Sequence, residues 1–324
     1  MNSHFHGIAI ALLIVLLAAC QSPDPAQTEI AAQETASVEA AQPQPTATAV
    51  PTKQPPAAWE IVSQLTPENE TKFAAFLNET VGFASCGPNS PISLTIDAGQ
   101  SWIQPALGRY CPSSVDFVDS QSLWLCSQFG LFSSKDGGQS MGQMYSPYSG
   151  CQLLNFADDT YGWSSFEQKL SATTDGALRW LEVETPEEMT DIAAIFLRDA
   201  ENGFVLDYNG VLFSTTDAGK SWSSIDLGLA DSGSHIVKMD ARPSAAIHFT
   251  DEENGFLILN LAIKGTGVIV ALHTDDGGQS WGQHHLPLNP GSVYLSRDGQ
   301  YLTVTEHGGE PKVTIFANQT NAGS

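Results

Sequence analysis

Short apolar runs, separated by turns rich in Asp, Asn and Gly, cover the chain after residue 58. Runs of this kind that flank tight-turn residues are typical of antiparallel β-hairpins. In five places an aromatic residue is followed seven or eight positions later by a second one, across an acidic turn. The pairs are Phe76/Phe83, Phe117/Trp124, Phe156/Trp163, Phe196/Phe204 and Phe249/Phe256. A glycine precedes the second aromatic in four of them, at Gly82, Gly162, Gly203 and Gly255.

A second element, Ser/Thr-x-Asp-x-Gly-x-x-Trp, follows each aromatic pair and recurs five times. Its aspartates are Asp97, Asp136, Asp175, Asp217 and Asp276, and its tryptophans are Trp102, Trp180, Trp222 and Trp281. The aspartates are separated by 39, 39, 42 and 59 residues. A period near 40 residues with turn chemistry in every unit is typical of a β-propeller.

This eight-residue element, called the box turn below, is predicted to be structural. Its Asp can accept hydrogen bonds from turn amides, its Gly tolerates a positive φ, and its Trp can cover neighbouring strands. Met141 replaces the Trp in the second copy and Ala177 replaces the Gly in the third. We expect those two turns to be looser, with backbone strain at Ala177 if its φ is positive.

One hairpin from each aromatic pair and one from each box turn give a four-stranded antiparallel blade. A sixth copy, around Tyr294 and Tyr301, lacks a box turn. The strand at residues 59–65 precedes the first repeat, so we expect it to complete the last blade and close the ring. The prediction is an all-β, six-bladed propeller over residues 59–324. A seven-bladed ring, with units of about 38 residues, is the second choice.

The longest step, 59 residues, is assigned to an insertion near residues 238–246 and a longer hairpin through 260–267.

The N-terminal region predicts export. Residues 8–17 form an apolar run too short to span a bilayer, and residues 17–20 read Leu-Ala-Ala-Cys. This ending resembles the lipobox of bacterial lipoproteins, which implies that residues 1–20 are a signal peptide and that Cys20 is lipidated. An ordinary secretory signal is the alternative. Residues 21–58, rich in Pro, Ala, Gln and Thr, are predicted to be a disordered tether. The predicted location is the bacterial cell envelope, on its extracytoplasmic side.

Four further cysteines, in an exported chain, suggest disulfides. Three pairings are possible, and the equal separations of 25 residues favour Cys86–Cys111 and Cys126–Cys151. Cys86 and Cys126 occupy equivalent places near the end of the second strand of consecutive repeats. Cys111 and Cys151 precede the first strand of the next blade. Each bond is therefore predicted to join neighbouring blades.

Charge excludes some partners. The net charge is −23, with 13 Lys and Arg against 36 Asp and Glu, which argues against nucleic acid and against anionic lipid surfaces. Membrane contact is expected through the lipid anchor only. Many acids fall in the repeated turns, and a face that binds cations or basic peptides is the functional alternative to simple solvation.

The box turns and the Phe-x-Asp-x-x-x-Gly-aromatic hairpins resemble the Asp-box (BNR) propellers. Among these they resemble most the photosystem II assembly/stability factor family. That resemblance implies a lipid-anchored protein that binds membrane-protein intermediates and is not an enzyme. Family members that serve photosystem II carry an Arg-rich face, whereas this chain has five scattered arginines: Arg109, Arg179, Arg198, Arg242 and Arg297. A general scaffold of the same kind is the prediction.

The enzymatic alternative is an exo-acting, sialidase-like glycoside hydrolase. Sialidase chemistry needs three convergent arginines, a Tyr beside a Glu, and an acid, and the early Arg-Ile-Pro motif of that class is absent. A glycosidase with two carboxylates stays open, because their separation cannot be read from sequence. The sequence predicts no catalytic residue, no cofactor and no metal site. We expect a monomeric, non-catalytic scaffold that binds an extracytoplasmic protein or peptide.

Overall fold

The computed structural model describes residues 59–66, 71–86, 92–104, 112–127, 130–146, 150–239, 243–307 and 312–319. In these ranges the strands form six antiparallel sheets, each of them one blade of a propeller. The six-bladed ring predicted from the repeats is confirmed. None of the described segments is a helix long and apolar enough to cross a bilayer.

The strands follow one another around the ring, blade by blade. The first is β1 (Trp59–Leu65). Blade 1 contains β2 (Thr71–Phe76), β3 (Gly82–Cys86) and β4 (Ser93–Thr95). Blade 2 contains β5 (Ser114–Phe117), β6 (Leu123–Ser127), β7 (Gly130–Ser134) and β8 (Gly142–Met144). Blade 3 contains β9 (Leu153–Phe156), β10 (Gly162–Phe166), β11 (Lys169–Thr173) and β12 (Leu181–Val183).

The second half of the ring continues the same arrangement. Blade 4 contains β13 (Ile192–Leu197), β14 (Gly203–Asp207), β15 (Val211–Thr215) and β16 (Ser223–Asp226). Blade 5 contains β17 (Ser234–Ile236), β18 (Ala245–Phe249), β19 (Gly255–Ile263), β20 (Thr266–Thr274) and β21 (Gly282–Leu286). Blade 6 contains β22 (Gly291–Leu295), β23 (Tyr301–Glu306) and β24 (Lys312–Asn318).

The ring is closed by its first strand. β1 pairs antiparallel with β24, with Trp59 opposite Asn318 and Leu65 opposite Val313. Trp59 is buried and meets the ring of Phe256 edge-on at a centroid distance of 6.0 Å. The strand left over before the first repeat is thus the outer strand of blade 6, as the sequence predicted.

Two blades depart from the regular plan. In blade 1 the described part of the fourth strand is a single bridge, in which Leu94 and Ile103 exchange hydrogen bonds of 2.8 and 2.7 Å. In blade 5 the hairpin of β19 and β20 has nine residues in each strand, and β17 pairs with its far end. The long hairpin accounts for much of the 59-residue step, as the sequence predicted.

The glycines that open the second strands make room for aromatic rings. A Cβ added to Gly162 would lie 2.5 Å from the ring of Phe156. That ring also stacks on Trp124 of blade 2, with centroids 4.0 Å apart and an interplanar angle of 2°. The same contact recurs between blades 4 and 5, where Phe204 and Phe249 stack at 3.9 Å. Stacked aromatic pairs therefore join neighbouring blades.

Blade 4 corrects one detail of the aromatic pattern. In blade 3 the aromatic Phe156 stands opposite Gly162, whereas in blade 4 Leu197 stands opposite Gly203. Phe196 faces Phe204 and so occupies the position one residue earlier. The eight-residue spacing of this pair, where most pairs have seven, was the sequence signal of the shift.

Replacing Gly162 by alanine should lower the free energy of unfolding by about 2 kcal/mol, because the Phe156 ring is held against Trp124 and cannot move away. Gly142→Ala in β8 is the matched control, since the nearest atom to its added Cβ is 4.0 Å away. Urea denaturation followed by tryptophan fluorescence measures both. Equal stability of the two variants would contradict this account of the glycine.

Candidate functional site

The box turns are closed by their own side chains, as the turn of blade 4 shows. The Thr215 hydroxyl donates to Asp217 at 2.8 Å and accepts from the Gly219 amide at 2.9 Å. Asp217 also accepts from the amide of Ser221 at 2.9 Å and from its hydroxyl at 2.6 Å. These bonds, with those of Ser221 first, lower the pKa of Asp217 to about 2. The carboxylate is occupied within its own turn, which fits the structural role predicted for it.

The box turn of blade 4 also joins two other parts of the ring. The Ala218 amide donates to the carbonyl of Glu201, in the turn between β13 and β14, at 2.8 Å. The Trp222 indole donates to the carbonyl of Glu184, after the outer strand of blade 3, at 3.0 Å. Trp180 makes the same bond to Tyr145 at 2.9 Å. Trp180 and Trp222 therefore connect consecutive blades. The box turns lie on one face of the ring, called the turn face below.

The two degenerate box turns keep their hydrogen bonds. Ala177 has a φ of 63°, so it does take the strained conformation. Its amide still donates to Thr173 at 2.9 Å. In the copy with Met141, the Gly138 amide donates to Ser134 at 2.8 Å. The expected loosening is not seen, because the hydroxyl and the aspartate, which both turns retain, make the bonds.

The structure contains the Cys126–Cys151 disulfide, with the two Cα atoms 5.4 Å apart. It joins the end of β6 in blade 2 to the segment that leads into β9 of blade 3. The Ser113 hydroxyl lies within 3.1 Å of the Cys126 carbonyl and 3.0 Å of the Cys151 carbonyl. Cys20, Cys111 and the side chain of Cys86 lie outside the described residues, so lipidation and the Cys86–Cys111 bond stay predictions.

In blades 2, 3 and 5 the inner strand carries a polar residue directly before the first aromatic of the pair, at Asp116, Asn155 and His248. Two of them bond to the next blade. Asp116 accepts from the Phe156 amide at 2.5 Å, and Asn155 accepts from the Leu197 amide at 2.7 Å. Burial raises the pKa of Asp116 to about 6. These side chains join inner strands around the axis, and Asp116 does so with a buried carboxyl group.

The turn-face end of the axial channel is filled by residues of blades 5 and 6. Arg297 of blade 6 donates to the carbonyl of Phe156 in blade 3, the opposite side of the ring. Tyr294 meets the ring of Phe117 in blade 2 edge-on, at 6.4 Å. His248 is 5% exposed, and neither of its ring nitrogens has a hydrogen-bond partner among the described residues. Burial lowers the pKa of His248 to about 4.

Above this closure a cavity of about 60 Å³ lies between the inner strands of blades 2 to 6. The ionisable groups in its lining are Asp116 and Tyr294.

The described arginines do not converge on this cavity as a set, because Arg179 pairs with Asp175 and Arg198 with Asp199, on their own blades. Arg109 and Arg242 lie outside the described residues. Within the described part, no cluster of three His, Cys, Asp or Glu side chains could hold a metal ion.

Among the described residues, a concentration of accessible polar groups lies on the opposite face, called the connection face because the blade-to-blade connections run there. A groove, the connection-face groove, is formed by the second-to-third-strand turns and blade connections of blades 3 to 5. It is lined by Gln168, Thr190, Asp191, Tyr208, Asn209, His235, Ile236 and Lys238. Four separate chain segments thus build one open surface.

Backbone pairing fixes the centre of the groove. Ile192 stands opposite Asp207, and the next residues outward are joined by a bond of 3.0 Å from the Tyr208 amide to the Asp191 carbonyl. Asp207 is fully buried and accepts from the Thr190 hydroxyl at 2.8 Å and from the Val211 amide at 2.9 Å. The Asp191 carboxylate and the Tyr208 ring are therefore held side by side on a rigid hairpin end.

Sequence reasoning missed this groove. Asp191 and Lys238 are 47 residues apart, and neither belongs to a repeated element. The polar residues of the inner strands did leave a signal, because Asp116, Asn155 and His248 interrupt apolar strands at the same place in their repeats.

Comparison with solved structures supports the fold. The chain is similar to the WD40 repeats of RRP9, with a TM-score of 0.57 and 10% identity over 81% of this chain and 100% of that one. It is similar to YCF48 bound to D1 peptide, with a TM-score of 0.52 and 15% identity over 82% and 97%. It is also similar to virginiamycin B lyase from Staphylococcus aureus, with a TM-score of 0.52 and 11% identity over 78% and 82%.

At these identities the likenesses show the propeller fold alone. No protein-family model matches the sequence, and no curated protein matches it.

Proposed function

We propose that this protein is a non-catalytic binding or assembly scaffold, held at the extracytoplasmic side of the bacterial envelope by a lipid on Cys20. The connection-face groove carries the proposal, because it presents charged, amide and aromatic groups on one open, rigid surface. Pockets for small-molecule chemistry are usually enclosed, with volumes of roughly 300–1,000 Å³. The axial cavity, at about 60 Å³, is far below that range.

Two further observations support a protein partner. YCF48, a propeller with the same fold, was solved bound to D1 peptide. The box aspartates, the most repeated acids of this chain, are occupied in hydrogen bonds within their own turns. The proposal therefore assigns recognition to the groove and architecture to the box turns.

Site-specific photocrosslinking in native membranes tests the proposal. A photoreactive residue in place of the exposed Asn209, inside the groove, should give one discrete protein adduct. The same residue in place of the exposed Glu253, on the turn face, should give none. Cys20→Ser should move the protein from the membrane to the soluble fraction. Identical adducts from both positions, or turnover of sialosides or β-glycosides that a single carboxylate change abolishes, would overturn the scaffold.

A further inference from the structure

The connection-face groove holds an ammonium group of the chain itself. The Lys238 amino group forms an ion pair with Asp191 and lies 4.9 Å from the centroid of the Tyr208 ring. A carboxylate together with an aromatic face is the combination that recognises Lys and Arg side chains. The groove therefore contains a site for a cation, formed by Asp191 and Tyr208, and Lys238 of the same chain fills it.

The acceptor side of this site is fixed. Gln168 donates to the second carboxylate oxygen of Asp191 at 2.9 Å. The Tyr208 hydroxyl lies 3.4 Å from the Ser244 hydroxyl at the start of blade 5. The antiparallel register of β13 and β14 sets the spacing of the carboxylate and the ring. A site with these supports keeps its shape when its occupant changes.

The occupant, in contrast, is weakly held. The side chains of Lys238 and Asp191 are 60% and 41% exposed. Exposed ion pairs and exposed cation–π contacts each stabilise a protein only weakly. A competing cation that brings further contacts of its own can displace Lys238.

A similar lysine on the turn face shows what distinguishes the groove. Lys135 pairs with Asp159 and lies 5.8 Å from the ring of Trp124. Trp124 is only 2% exposed, and its ring is stacked on Phe156. A partner cannot reach that ring, whereas the ring of Tyr208 lines an open groove.

We propose that the connection-face groove receives a lysine or arginine side chain of a basic partner protein, and that Lys238 occupies this site in the free protein. The net charge of −23 favours a basic partner, since complementary charge raises association rates and suppresses acidic competitors. This inference rests on the proposed scaffold function and names the chemical class of its partner.

Fluorescence polarisation with a labelled Gly-Ser-Lys triplet-repeat peptide at physiological salt tests the site. Lys238→Ala should tighten binding about fivefold, because it removes the internal competitor. Asp191→Asn should weaken binding about fivefold, and so should Tyr208→Leu, which removes the ring and leaves the charge unchanged. Circular dichroism verifies that each variant is folded.

The matched controls are Lys135→Ala and Asp159→Asn, which change the net charge equally on the turn face. Each should shift the affinity by less than twofold, in keeping with nonspecific attraction alone. If Lys238→Ala matches Lys135→Ala, or Asp191→Asn matches Asp159→Asn, the cation site is refuted. A groove adduct at position 209 with no difference between these variants would keep the scaffold and reject the cation site. Peptide binding that differs between these variants, without any adduct at position 209, would keep the cation site and reject the scaffold.

Discussion

A chain that begins at residue 66 should fail to form a stable ring. Removing β1 breaks six strand-to-strand residue pairs with β24 and leaves β24 as an edge strand of blade 6 that is unpaired on one side. It also removes Trp59 from its contact with Phe256, and Leu65 from the cluster that contains Trp102. Burial of Trp59 contributes about 1.5–3 kcal/mol, the half-buried Leu65 contributes less, and each ladder hydrogen bond contributes about 1 kcal/mol. The sum is comparable to the whole stability of a domain, roughly 5–15 kcal/mol.

Size-exclusion chromatography and urea denaturation measure the loss, with a chain that begins at residue 59 as the control. The control should be monomeric and should unfold cooperatively, and the shorter chain should do neither. A circular permutant that carries residues 59–65 after residue 319, through a flexible linker, should recover the cooperative transition. A shorter chain as stable as the control would show that β1 is dispensable and that the ring closes without it.

Asp116→Asn should stabilise the protein at neutral pH. The folded-state pKa of Asp116 is raised from 3.8 to about 6 by burial, so the folded state binds its proton more tightly than the unfolded state does. The favourable contribution is fully present below pH 3.8 and is lost as the pH rises through 6. A shift of this size corresponds to about 3 kcal/mol at pH 7.5 and to less than 1 kcal/mol at pH 4. Asparagine keeps an oxygen that can accept from the Phe156 amide.

Urea titrations between pH 4 and 8 measure the unfolding free energy of Asp116→Asn and of the unchanged protein. The difference between the two values isolates the contribution of the Asp116 carboxyl group. His248 titrates in the same window with the opposite sign, since its lowered pKa makes stability fall as the pH drops from 6.5 to 4. Its contribution is the same in both proteins and cancels in the difference. The exposed Asp231→Asn is the control for the loss of one negative charge at the surface. A difference that does not change with pH would contradict the assignment to Asp116.

The architecture was predictable because its signals are local and repeated. The Thr215, Asp217 and Gly219 bonds all form within five residues, so the turn can be recognised in the sequence without knowledge of the rest of the fold. The closing role of β1 followed from a count of strands, since blade 6 lacked one. The disulfide of Cys126 followed from its place in the repeat, which the ring converts into proximity to the next blade.

The groove and the channel were not predictable for the opposite reason. Asp191 and Lys238 meet because the antiparallel register of blade 4 and the connection into blade 5 place them together, and neither residue recurs in the repeats. Arg297 was one of five scattered arginines in the sequence, yet it reaches across the axis to Phe156. Such contacts depend on the three-dimensional closure of the ring, which spacing along the chain does not encode.

The pairing of Trp59 with Asn318 has a practical consequence for studying this molecule. The two ends of the folded chain, at Trp59 and Asn318, therefore lie side by side at the outer edge of the ring. A protein immobilised on a biosensor chip through an N-terminal tag should therefore present itself in the same orientation as one immobilised through a C-terminal tag. Either attachment should leave the flat sides of the disc open to an analyte in solution.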